Sequence, residues 1–176
     1  MAQKRKRTHF RVKKDDRVFT LDVYIIGGPM TEEFIKRNKV ICRAIQIRGD
    51  QTLQELHNTI FDAFDREDEH MYEFQVGGKR PMDPKARRYG IAEFADDPFS
   101  DDSETSGDAA LTTIGSLDLK KGAIVGYWFD FGDDWWHRID VVEIGESAGT
   151  GKYPRVTKRI GESPPQYIDW DDEDDE

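Results

Sequence analysis

The hydrophobic pattern changes period several times along the chain. Residues 17–28, RVFTLDVYIIGG, are rich in β-branched and aromatic side chains and stop at Gly27-Gly28-Pro29, which predicts a strand closed by a breaker. The polar TEEFIKRNK that follows reads as a loop or one helical turn. Residues 40–50 then alternate, with Ile41, Arg43, Ile45 and Ile47 on one face and Val40, Cys42, Ala44 and Gln46 on the other. This is a second strand, predicted to pair with the first.

The period then becomes helical. In TLQELHNTIFDAF, Thr52 and Glu55 form a T-x-x-E capping box, each side chain serving a free backbone N–H at the helix start. Leu53, Leu56, His57, Ile60, Phe61 and Phe64 fall on one stripe, which the helix must bury. His57 lies inside that stripe. Period two returns in HMYEFQVGG (70–78), where His70, Tyr72, Phe74 and Val76 alternate with Met71, Glu73 and Gln75 to give a third strand.

From Lys79 to Gly115 the chain is polar and nearly aperiodic, an insertion with short helical pieces expected around 90–95 and 110–115. A turn at Lys120–Gly122 leads into YWFDFGDDWWHRID, predicted as strands 124–131 and 135–142 joined by Gly132-Asp133-Asp134, residues that tolerate the positive φ of hairpin turns. The order predicts an α+β fold. The expected form is an antiparallel or mixed sheet with one main helix packed on it, a β-grasp-like β-β-α-β core plus a C-terminal β-hairpin. In the hairpin, Val125, Tyr127, Phe129 and Phe131 are expected on one face and Trp128 and Asp130 on the other; Trp135, His137, Ile139 and Val141 oppose Trp136, Arg138 and Asp140 in the same way.

Charge divides the chain into three parts. Residues 1–17 hold +6, the terminal DWDDEDDE holds −7 and DDPFSDDSETSGD (96–108) holds −6, so of the net −10 only −3 falls on the rest. Blocks of like charge stay solvated. The expected organisation is therefore a basic disordered arm at 1–16, a single domain at 17–146 containing the insertion, and an acidic flexible tail at 147–176. The acidic balance disfavours non-specific nucleic-acid binding by the whole molecule. Lys4, Arg5, Lys6 and Arg7 form the one short run that would serve such binding. The lone Cys42 excludes an internal disulfide. No apolar run is long enough for a membrane helix and MAQKRKR has no signal-peptide core, so the cytoplasm is the expected compartment.

Two chemistries compete for the unusual residues. Three of the four histidines, His57, His70 and His137, are placed where they can converge with Asp130 and Asp133, the ordinary recipe for zinc or another divalent transition metal. The alternative is that each histidine is buried against a hydrogen-bonding neighbour. No Walker, G-x-G-x-x-G or G-x-S-x-G pattern is present, and DFG at 130–132 followed by HRID runs in the wrong order for a protein kinase. Tyr127, Trp128, Trp135 and Trp136 are the candidate contact residues for a protein partner, since Trp and Tyr dominate interface hot spots.

Leu56-His57, His70 to Phe74, and Tyr127-Phe129-Asp130-Phe131-Gly132-Asp133-Trp135-His137 together resemble the plasmid ORF-three-like family, first described from a root-inducing plasmid. The resemblance spans about residues 17–144. It implies an α+β fold without an established activity, in a family some of whose members lie in mobile elements and carry a resolvase label. That label has no counterpart here, where no serine or tyrosine recombinase signature occurs. The family's Pro-Pro-Glu-Asp-x-Gly-Gly motif meets SPPQYIDW in this chain, which keeps Pro164-Pro165 and loses the rest. The expected function is a non-enzymatic interaction module using the aromatic hairpin. The alternatives are a metal-binding protein or metal-dependent hydrolase built on the His/Asp set, and nucleic-acid binding through the basic arm.

Overall fold

The computed structural model describes residues 12–91 and 106–169. Within them the order is β1 (Val18–Gly27), α1 (Glu32–Arg37), β2 (Cys42–Arg48), α2 (Leu53–Ala63), β3 (Tyr72–Val76), β4 (Arg87–Gly90), β5 (Ser106–Asp108), a 3-10 turn (Ile114–Leu117), β6 (Ile124–Phe129), β7 (Trp135–Gly145) and β8 (Arg155–Ile160). The strands form one sheet in the order β5-β4-β3-β6-β7-β1-β2-β8. It is mixed, because β4 and β5 run parallel while the other neighbours are antiparallel. The fold is α+β and mostly sheet. Two helices accompany it among the described residues.

The predicted pairing of the first two strands is present, with Leu21 opposite Ile45 and Val23 opposite Arg43. Period two does the rest. Phe19, Leu21, Val23 and Ile25 share an inner face with Ile45 and Ile47, with Tyr127 and Phe129 of β6, and with Phe74 and Val76 of β3; all are buried in one core. Onto that face α2 lays Leu53, Leu56, His57, Ile60 and Ala63. Its start is closed by the capping box, in which the Thr52 hydroxyl accepts the Glu55 N–H at 3.2 Å and Glu55 accepts the Thr52 N–H at 2.7 Å. Its end has no basic residue of its own. Arginines from the sheet supply the missing donors: Ala63 O accepts Arg43 Nε–H at 2.9 Å and Arg159 Nη1–H at 2.6 Å. That explains a buried arginine on an otherwise apolar strand face, since orphan carbonyls at a helix end need donors and favour cations.

Several expectations are corrected. Of the two readings of TEEFIKRNK, a loop or one helical turn, the helical one holds: Glu32–Arg37 form the short α1, capped by the Thr31 hydroxyl accepting from Phe34 N–H. The 79–115 insertion contributes β4 and β5 to one sheet edge, and its 3-10 turn lies at Ile114–Leu117. Of the helical piece expected around 90–95, Gly90 ends β4 and residues 92–95 lie outside the described residues. The acidic tail drawn from Ser147 onward begins too early: Arg155–Ile160 pairs with β2 as the other edge strand. RVTKRI gives no apolar alternation because an edge strand with a bulge buries little of itself. Beyond it, Pro164 and Gln166 are buried.

Candidate functional site

The hairpin and α2 together hold nearly all the residues singled out by sequence. Asp130 ends β6 in the left-handed region, φ 59°, and its Oδ1 accepts the N–H groups of Gly132 at 3.0 Å and Asp133 at 3.2 Å. Aspartate tolerates this conformation and closes its own turn. The kink has a second effect. Phe131, expected on the inner face, swings to the outer one and stacks on Trp128, ring centroids 3.9 Å apart. Trp128 in turn stacks on its cross-strand partner Trp136 at 4.8 Å, and its indole N–H donates to Asp134 at 2.9 Å.

The four candidate contact residues therefore divide. Trp128 and Trp136 are half-buried on the outer face. Tyr127 and Trp135 are buried inside, where neither can meet a partner. Gly28 (φ 146°) backs directly onto the Trp135 ring, leaving no room there for a Cβ.

The histidines also separate. His57 is buried, stacked on Tyr72 at 3.7 Å, with Nδ1 2.7 Å from the Tyr127 hydroxyl and Nε2 3.0 Å from Glu69. Burial holds its pKa below the usual histidine value, against the pull of Glu69. Neutral His57 thus donates Nε2–H to the Glu69 carboxylate and accepts the Tyr127 proton at Nδ1. Desolvation of the buried Tyr127 hydroxyl pushes its pKa well above the ordinary value, which keeps that proton in place. The contact with Glu69 is a hydrogen bond rather than an ion pair.

His137 is fully enclosed. Its Nδ1 lies 3.2 Å from Trp135 O and 3.3 Å from Tyr127 O, and carbonyls only accept, so Nδ1 carries the proton. Burial, reinforced by Arg66, pushes its pKa down to about 3. His70 lies outside the core, with Nε2 2.9 Å from the Tyr167 hydroxyl and 3.4 Å from Asp130 Oδ2.

Of the five residues proposed as metal ligands, the structure brings only His70 and Asp130 together. Asp133 is exposed in the turn, His57 commits its two ring nitrogens to Tyr127 and Glu69, and His137 is enclosed with Nδ1 turned to two backbone carbonyls. Among the described residues no three of His, Cys, Asp and Glu are grouped as a metal requires. Lys4, Arg5, Lys6 and Arg7 lie outside the described residues. No helix in the described part is long and apolar enough to cross a membrane.

Four residues of this region had not been singled out: Arg66, Glu69, Gln166 and Tyr167. Gln166 Oε1 accepts the Glu67 and Asp68 N–H groups at 2.8 and 3.0 Å, while its Nε2 donates to Asp68 O at 2.8 Å. Residues 161–168 thereby strap the α2–β3 turn. Ser163 adds a bridge between Arg43 and Asp65.

The profile of the plasmid pRiA4b ORF-3-like proteins matches residues 33–169. The chain belongs to that family. Its matched span includes β8 and the strap, which the sequence resemblance had left outside. No curated protein matches the chain. A crystal structure of a protein of unknown function from Methanosarcina mazei Go1 is similar in fold: TM-score 0.64, 21% identity, covering 87% of this chain and 74% of that one.

Proposed function

We propose that this ORF-3-like protein is a non-enzymatic interaction module whose contact surface is the outer sheet face around the β6–β7 hairpin. The observation that carries the reading is the stack Phe131–Trp128–Trp136, large rings left half-open on the solvent side. Ile26, 54% exposed, lies on the same face where β1 meets β7. Beside it Tyr24, Val40 and Arg138 line an open depression of about 340 Å³. Aromatic anchors next to a shallow pocket are the usual centre of an interface.

The rim supports a basic partner. Asp22 and Asp140 face each other directly across the β1–β7 pair, an arrangement of like charges that costs stability. Arg138 relieves one of them, at 2.7 Å from Asp140. Asp133 and Asp134 add to the acidic edge at the turn. A protein segment carrying Arg or Lys would lay its cations against these carboxylates and over the outer rings of the stack. The metal reading, by contrast, has only the His70–Asp130 pair to stand on.

The test is photo-crosslinking in cells from a reactive residue at Ile26, with Trp128→Ala/Trp136→Ala as the matched control. A basic protein captured by the parent, lost in the control and weakened by salt is the expected result. Capture that ignores both tryptophans would refute the surface.

A further inference from the structure

The sheet ends in two unlike edges. β5 has three residues and offers little backbone to a neighbour. β8 has six, Arg155–Ile160, and among the described residues it pairs only with β2. Hydrogen-bonding groups alternate in direction along a strand, so about half of those on β8 point away from the sheet. At the far end the Ile160 carbonyl accepts from Arg43 at 2.9 Å. From Arg155 to Arg159 every residue but Val156 is exposed. The same stretch is a local reversal of charge. GTGKYPRVTKRIG (149–161) holds four cations and no acid, in a chain of net charge −10. Arg159 is committed to the end of α2 through the Ala63 carbonyl. Lys152, Arg155 and Lys158 have no carboxylate partner among the described residues. Arg155 is held in place without one, donating to Gln46 Oε1 at 3.0 Å and lying 4.5 Å from the centroid of the Tyr153 ring.

We infer that β8 is a docking edge for an extended acidic segment of another protein, which joins the sheet as a further strand. Main-chain hydrogen bonds hold such a segment, and Lys152, Arg155 and Lys158 select its carboxylates. The edge is guarded against other strands. Thr157 has no opposite residue on β2, a bulge that interrupts the ladder, and lysine on an edge discourages indiscriminate pairing. A second copy is disfavoured, because antiparallel pairing of two β8 strands sets Arg155, Lys158 and Arg159 against one another. A nucleic acid would meet the cations and leave the backbone groups to water. An acidic peptide satisfies both. This edge is separate from the hairpin face: β1 and β2 stand between β7 and β8, and the two partners are of opposite charge.

The experiment is a fluorescence-anisotropy titration of the full chain against a labelled peptide in which glutamate alternates with valine. Run beside it are the lysine counterpart, the glutamate peptide N-methylated at alternate residues, and a single-stranded oligonucleotide of equal charge. The glutamate peptide is expected to bind saturably and to slow hydrogen exchange at amides of residues 155–159. N-methylation removes donors from one peptide edge and should weaken binding by roughly tenfold or more. Lys158→Glu combined with Arg155→Glu should weaken it by a similar factor of about ten. Both side chains are exposed; if the double variant nevertheless fails to fold, the N-methylated peptide tests the same pairing on the parent. Absence of binding, or equal binding by the N-methylated peptide, overturns strand addition. Equal binding by the lysine peptide or by the charge-reversed variant overturns the charge selection. An oligonucleotide that binds more tightly than the peptide, or self-association of the parent in sedimentation, overturns the occupant.

Discussion

The Tyr127 hydroxyl lies 2.7 Å from Nδ1 of His57 and ties the central strand β6 to α2. Both groups are buried, and Glu69 completes the chain on the other side of the imidazole. Tyr127→Phe keeps the ring and removes the only donor that Nδ1 meets there. The variant should fold and lose about 1–3 kcal/mol in urea unfolding, the cost of a buried acceptor left unpaired. Adding His57→Phe should cost less than the sum of the two single changes, because the pair is one unit.

Stability should fall on the acid side because of His137. Its pKa stands near 3 in the folded protein, against 6.5 for an unperturbed histidine. Above pH 6.5 both states hold the imidazole neutral and nothing is lost. As pH falls from 6.5 towards 3, the unfolded chain takes up a proton that the folded one refuses, and stability drops by about 1.4 kcal/mol per pH unit. His57, lowered by the same cause, adds a loss of the same sign. Urea midpoints between pH 7.5 and 4.5 measure this slope, and His137→Gln should flatten it.

What was legible in the sequence is what repeats locally. The alternation of Phe19, Leu21 and Val23 against Thr20 and Asp22 announces β1, and the Thr52–Glu55 box marks the first turn of α2. The hairpin is legible in its aspartates, although positive φ falls on Asp130 and Asp134 and not on Gly132, and Phe131 takes the outer face because alternation assumes a straight strand and Asp130 bends it. Arg66 was passed over because it stands in the acidic run DREDE, which reads as solvated. It is buried through contacts about a hundred residues away, from a segment of nearly featureless composition. The histidines stand out in the sequence by their place on apolar faces. That they separate instead of converging was not legible, since whether a ring nitrogen faces a carbonyl, a hydroxyl or a carboxylate depends on tertiary placement.

Adjacent tryptophans should behave as opposites. Trp135 is fully buried between Gly28 and Arg66, so Trp135→Ala should cost about 3–5 kcal/mol. Trp136 loses mainly its stack on Trp128, and Trp136→Ala should cost about 1 kcal/mol. Only the second change should abolish the partner capture described above while leaving the fold intact. Chemical denaturation alongside the crosslinking assay checks both halves.

Asp130 tests the turn that turns Phe131 outward. It holds a φ of 59°, where most L-residues are strained by roughly 1–2 kcal/mol, and its carboxylate accepts two turn N–H groups. Asp130→Asn keeps an acceptor oxygen and a side chain that tolerates this conformation, so it should change stability by less than about 1 kcal/mol. Asp130→Gly removes the acceptor and relieves the backbone; Asp130→Ala removes the acceptor and retains the strain. The expected order of stability is therefore Asn above Gly above Ala, with Ala down by about 2–3 kcal/mol. An alanine variant as stable as the glycine one would show that the left-handed backbone carries no cost here and that the hydrogen bonds alone hold the turn.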